Sequence, residues 1–387
     1  MSIVKLLGFV ANLHPSRHRA RFGRTCLDTL NLHDIPICWG EVAEANPKKH
    51  EDPKPWEFPE KNSNFEKHWA QDVTFTEYGK DKKDENNLHE LESGVSFLER
   101  IINERSSAGG KDPKPTKVTF LLLSGLADIA TIARREPEKL ALAVDKVVLQ
   151  GDYKIVQGPT PYHAVVEPNL GAANNAFDTE AAKHFHEFID RHQIPSIVFT
   201  RAPAMECRME QKLFREMAET KHALGEHLAF AQSLQDVSFY ERACSDEPFL
   251  PHLNQEWFLT GKTNWYKANP KPVDGSTPKT PPVGKNITKF VELVFYDVLA
   301  ALGVAGNDVL DALQLLEPRE HFTNSPNIHN IVGYEKIIPP PEHDRAAKPQ
   351  VLRVPEMNIK NTQVTISALM KGSLKAVQQS IPSTHPR

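Results

Sequence analysis

Three short apolar runs, VTFLLL at 118–123, DKVVL at 145–149 and SIVFT at 196–200, each stop at a small or polar residue. Helical spacing fills the stretches between them: Leu126 to Arg135, a short piece after Pro137, and an amphipathic Thr179 to Gln193. Strands buried on both faces read as unbroken apolar runs, and parallel strands need a helical crossover to connect them. The alternation predicts an α/β fold: a doubly wound, mainly parallel sheet with helices on both faces and a Rossmann-like core.

The flanks extend this pattern. IVKLLGFVA, from Ile3 to Ala11, reads as a buried strand, Arg17 to Leu32 as a helix and Ile35 to Trp39 as a second strand. Residues 45–87 are rich in Pro, Lys, Asp and Glu and read as a charged surface insertion. A helix is expected over His89 to Glu104, a long one over Met209 to Leu234, and a helix or strand-plus-helix over Thr288 to Leu302. From Pro339 the chain is Pro-rich and polar, with one strand-like piece near Gln363 to Ile366. The organisation expected is one α/β domain over 1–338, carrying the 45–87 insertion, and a Pro-rich C-terminal extension over 339–387.

Charge and motifs exclude several classes. The net charge is −4 and no basic block occurs, which argues against nucleic acid as a partner. The four cysteines form no C-x-x-C pair, and scattered single cysteines suit a reducing compartment. The apolar run in Met1 to Val10 is too short to span a bilayer and lacks a cleavage site, so a cytoplasmic location without a membrane partner is expected. There is no G-x-S-x-G elbow, P-loop or G-x-G-x-x-G, and His222 and His227 are not spaced as a metal pair.

In open parallel sheets ligands bind beyond the carboxyl ends of the strands. The residues there are Asn12, Gly40-Glu41, Ser124-Gly125, Gln150-Gly151-Asp152 and Thr200-Arg201, small and polar as a binding rim or a set of turns would be. EPNLGAANNAFD, from Glu167 to Asp178, is turn-rich; Asp178 suits a helix N-cap, and Asn174 and Asn175 carry amides able to bond sugar hydroxyls. Asp297 interrupts the apolar FVELVFYDVLAAL, where a carboxylate must be paired, capped, metal-bound or exposed.

Taken in order, LLLSGLADIATIARREP (121–137), DKVVLQGD (145–152), NNAFDTEAA (174–182) and YDVLAAL (296–302) resemble successive segments of the inosine/uridine-preferring nucleoside hydrolases, with the NNxFD form nearest a divergent fungal branch. The opening stretch from Ile3 to Gly40, with its DIPICWG, resembles the second strand, helix and third strand of that fold. The resemblance implies cleavage of an N-ribosidic bond through a calcium-bound water, in purine or pyrimidine salvage, with a nucleoside or ribosyl ligand and a homo-oligomeric state. It sets Asp297 at the late calcium ligand and Ala127 at the ligand that binds through its backbone carbonyl. It sets Asn12, Gln150 and Asn174 at sugar-contacting positions and Tyr296 at the acid for the leaving base. Ala172 stands where a ribose-binding glutamate is usual, with Glu167 nearby. The family's Asp-x-Asp-x-x-x-Asp-Asp segment has no match in the sequence, so the general base is missing. Three readings follow: a hydrolase whose aspartate segment lies ahead of Met1, a non-catalytic descendant that binds a nucleoside or a protein, or an unrelated α/β enzyme, which a different strand order would favour. Without that strand, a neighbouring strand should be left open.

Overall fold

The structure is a computed structural model that describes residues 4–44, 73–75, 89–106, 117–157, 164–248, 253–270, 279–315, 329–332, 335–338, 350–353 and 357–380. Strand β1 (Phe9–Ala11) leads through helix α1 (Ser16–Thr29) to β2 (Ile37–Trp39), parallel to β1 with Phe9 opposite Ile37. The short helix α2 (Glu41–Glu44) follows. Strands β3 (Val73–Phe75) and β4 (His89–Leu91) pair in parallel, and the Trp39 N–H donates to the Glu92 carbonyl at 3.2 Å, tying the two pairs together. Helix α3 (Gly94–Ser106) comes next.

The central unit then runs β5 (Val118–Leu122), α4 (Ala127–Arg135), α5 (Pro137–Ala143) and β6 (Val144–Gln150). An antiparallel hairpin, β7 (Tyr153–Gln157) and β8 (Ala164–Pro168), precedes α6 (Ala173–Ala176), α7 (Thr179–Arg191) and β9 (Ser196–Phe199). Beyond β9 come α8 (Arg201–Glu206), β10 (Met209–Glu210), α9 (Lys212–Glu219), α10 (Ala223–Ala243), α11 (Gln255–Gly261) and α12 (Trp265–Ala268). β11 (Glu292–Leu293), α13 (Tyr296–Gly303), α14 (Asn307–Ala312), β12 (His329–Val332), a hairpin of β13 (Glu335–Ile338) and β14 (Gln350–Arg353), and α15 (Ile359–Ser380) complete the described elements.

The order of the main sheet is β12-β9-β6-β5, parallel throughout. Side chains alternate across it with the two-residue period of a strand. Val147, Leu149 and Val198 face a core built with α3, α4, α5 and α7. Val148, Ile197 and Phe199 face the other, built with α9, α13 and α15. Phe185 and Ile189 on α7 are almost wholly buried, each contributing about 1.5–3 kcal/mol by leaving water.

Between the two parallel units the sheet is interrupted. Among the described residues β1 is laddered only to β2, and β5 only to β6. Both edges are partly open: every residue of β5 is half-buried and Phe9 is 42% exposed, whereas all of β9 is buried.

Several expectations are corrected. The first strand is three residues, not the whole Ile3 to Ala11 run. Most of 45–87 lies outside the described residues, but Val73–Phe75 within it is a strand. His89–Leu91 is strand rather than the start of a helix, which begins at Gly94. Met209 to Leu234 is not one helix, because Lys221 takes a left-handed φ of 62° that ends α9. His222 then restarts the chain as N-cap of α10, its Nδ1 accepting from the Leu224 N–H at 3.2 Å. Gln363 to Ile366 is helical, inside the 22 residues of α15, whose Ile366 and Leu374 enter the second core.

Candidate functional site

The carboxyl ends of β5 and β6 are tied together by one side chain. Asn174, on α6, donates from Nδ2 to the carbonyls of Leu123 and Gln150 at 3.0 Å each and to Gln150 Oε1 at 2.6 Å. Two amide hydrogens thus serve three acceptors, and the ring of contacts fixes the amide plane. Asn12, one residue past β1, donates to the Gly125 carbonyl across the interruption in the sheet. Asn12, Gln150 and Asn174 therefore meet the same rim. The neighbouring Asn175 is buried and structural, donating to the carbonyls of Asp152 and Asn169. Asp152 is itself spent on Asn169 Nδ2 and the Tyr153 N–H, both at 3.0 Å. Asp178 is an N-cap, accepting from Ala181 N at 3.1 Å.

Asp128, in the first turn of α4, is the residue that sequence reasoning missed. It is 2% exposed, and neither carboxylate oxygen has a hydrogen bond of normal geometry. It abuts Gly40 and Gly94, the two glycines that follow β2 and β4. Burial, reinforced by the Glu41 carboxylate, pushes its pKa up to about 7, against the backbone N–H groups of Val42 and Glu41. The Ser124 hydroxyl, at the end of β5, is likewise buried without a partner. A signal existed: Asp128 is the one charged residue in the apolar LADIATIA.

The remaining candidates are spread more widely. Tyr296 opens α13 and donates its hydroxyl to Met205 Sδ at 3.5 Å, with its pKa raised by burial. Asp297 keeps contact with solvent, yet enough protein surrounds it that burial pushes its carboxyl up to about 6. Glu167 lies on β8 opposite Lys154, exposed, rather than in a turn. Ala172 precedes α6 and offers no side-chain cap. The Ala127 carbonyl accepts the Thr131 hydroxyl at 2.9 Å as part of α4. Calcium takes 6–8 oxygen ligands. Among the described residues no group of three or more His, Cys, Asp or Glu could hold a metal. One carboxylate and one helical carbonyl do not make a calcium site.

No family model and no curated protein matches the sequence. The fold is matched by solved structures. The type III effector protein XopQ, in complex with adenosine diphosphate ribose, superposes with a TM-score of 0.61 at 16% identity, covering 95% of this chain and 85% of that one. A second effector protein gives 0.60 at the same identity and coverage. A purine-preferring ribonucleoside hydrolase from Gardnerella vaginalis is similar at 0.48 and 13% identity, covering 97% and 93%. The chain shares the α/β fold of these effector proteins. No helix among the described residues is long and apolar enough to cross a membrane.

Proposed function

We propose that this chain is an N-ribosyl hydrolase-like protein that takes a nucleoside or another ribosylated small molecule at the carboxyl end of its parallel sheet. The observation that carries the reading is how the rim amides are held. Both amide hydrogens of Asn174 are engaged by Leu123 and Gln150 and one of Asn12 by Gly125, which orients each Oδ1 as a fixed acceptor. Ribose hydroxyls can donate to such acceptors without the protein reordering. The same dipoles oppose the positive charge that grows on the sugar as the bond to the base breaks. The effector of like fold, crystallised with adenosine diphosphate ribose, supports a ribosyl ligand.

Calcium, if the chain binds it, would polarise the attacking water and hold ribose oxygens. Asp297 and the Ala127 carbonyl fall short of a site for it, so no step is routed through the metal. The rim carboxylate with a pKa suited to a general base is Asp128, at about 7, and water must first reach it.

The test is to incubate the chain with inosine, uridine and adenosine diphosphate ribose, with and without calcium, measuring binding by calorimetry and free base by chromatography. Binding that weakens at least tenfold in Asn174→Ala, in a variant with an unchanged circular dichroism spectrum, is expected. Base release in the wild type supports the hydrolase; binding without release supports a non-catalytic descendant. No binding of any ribosylated ligand at millimolar concentration overturns the proposal.

A further inference from the structure

Just past β9, on the rim that holds Gln150, positive charge collects with little to balance it. β9 and β6 are paired with Phe199 opposite Gln150, and the Gly151 N–H donates to the Phe199 carbonyl at 3.2 Å. Arg201 begins α8 two residues beyond Phe199, and its guanidinium carbon lies 5.4 Å from the Trp257 ring centroid. Lys262 Nζ lies 5.5 Å from the Tyr296 ring centroid. Tyr296 contacts Met205, on α8 beside Arg201. Two cations thus sit over two aromatic faces at the carboxyl edge of the sheet.

The stem of Lys262 is anchored. Its N–H donates to the Phe258 carbonyl and its own carbonyl accepts from Glu292 N, both at 2.8 Å. Its ammonium makes no hydrogen bond among the described residues. Burial, joined by the nearby Arg201 and Arg208, lowers its pKa, and only Asp236 opposes them. Asp236 is a weak counter-charge: its oxygens accept from Gln211 and Gln232 at 2.6 and 2.8 Å, and burial pushes its carboxyl up to about 6. Arg208 is matched by Glu292 at 3.1 Å, whereas no described carboxylate pairs with Arg201. The indole N–H of Trp257 is buried without an acceptor. Unsatisfied donors and unbalanced cations gathered at one edge of the sheet favour an anion.

We infer that Arg201, Lys262 and Tyr296 form an anion subsite beside the sugar rim, with the charge to take a phosphate or pyrophosphate group. The inference deepens the proposed function, and rests on it only for the ribosyl part of the ligand. The favoured ligand is a phosphorylated nucleoside rather than a bare one, with the rim amides on its sugar and the two cations on its phosphates. Guanidinium groups suit phosphate because their planar donors match its oxygens.

The test is a calorimetric titration of the full chain with adenosine, ADP and inorganic pyrophosphate, at low and at physiological salt, for the wild type, Arg201→Ala, Lys262→Gln and Lys262→Arg. ADP should bind at least tenfold tighter than adenosine, by a margin that shrinks with added salt. That margin should vanish in Arg201→Ala and Lys262→Gln, return in Lys262→Arg, and leave adenosine affinity unmoved. Equal binding of ADP and adenosine by the wild type, or a margin that survives both substitutions, overturns the inference. Pyrophosphate bound without any nucleoside upholds the subsite and sinks the ribosyl reading. Adenosine bound while pyrophosphate is ignored does the reverse, and a chain that binds none of the three loses both.

Discussion

A Cβ on Gly40 would stand 2.8 Å from Asp128 Oδ2 and 2.6 Å from the Cα of Asn12. Glycine at this point lets the end of β2 close on the carboxylate and on the backbone past β1 at once. We expect Gly40→Ala to cost about 1–3 kcal/mol, because the backbone of Asn12 cannot yield as a flexible side chain would. Urea unfolding of the two proteins checks this, and an unchanged midpoint would show that the strands there have room for a methyl group.

Asp128 itself should make stability depend on pH. Its folded pKa, about 7, lies above the unfolded value of 3.8, so the native state binds more protons between the two. Stability should therefore fall as pH rises from about 4 to about 7, by on the order of 4 kcal/mol if all the shift is expressed, and level off above. Asp128→Asn removes the buried charge and should raise the melting temperature at pH 8 with little effect at pH 5. Equal changes at both pH values would mean that the carboxyl is hydrated and titrates normally.

Asn174 should matter to the scaffold as well as to the ligand. Asn174→Ala removes the donor shared by Leu123 and Gln150 and leaves their part-buried carbonyls short, a loss of about 1–3 kcal/mol. Gln150→Ala leaves both backbone acceptors in place and should cost less. Thermal unfolding of the pair gives the ranking, and the reverse order would place the anchor in the Gln150 side chain.

The last helix should behave as core. Ile366 is fully buried and Val364 is 63% exposed. We expect Ile366→Ala to cost about 2–5 kcal/mol and Val364→Ala less than about 0.5 kcal/mol. Equal, small effects would show that α15 is an appendage to a domain that folds without it.

The parallel sheet was legible because VTFLL, KVVLQ and SIVF are unbroken apolar runs, fully buried in β9 and half-buried in the edge strand β5, and carry a signal that few other structures produce. Residues 363–366 were misread because QVTI alternates over four residues, and the helix reveals itself only over the 22 of α15, whose buried Thr362, Ile366 and Leu374 are spaced at helical intervals. The break between α9 and α10 rests on a single left-handed residue, Lys221, which no composition announces. At the site, Asn12 and Gln150 could be proposed from sequence because position at the end of a strand is a property of sequence order, and Asn174 because it stands in an amide-rich segment that the family resemblance marks. Asp128 was missed because its meaning depends on Gly40 and Gly94, which lie 88 and 34 positions earlier in the chain. The pairing of Arg201 with Trp257 and of Lys262 with Tyr296 is likewise a product of folding alone.

The interruption between β1 and β5 also decides where the molecule is compliant. A continuous sheet resists shear along a whole row of backbone bonds, whereas here, among the described residues, a side-chain amide, that of Asn12 on the Gly125 carbonyl, bridges the rim. No ladder joins the two parallel units among the described residues, so side-chain packing in their shared core and the Asn12 amide hold the seam that runs beneath Asp128 and the rim amides. A ligand that bridges Asn12 and Asn174 would stiffen that seam as it binds, much as a bolt stiffens a joint.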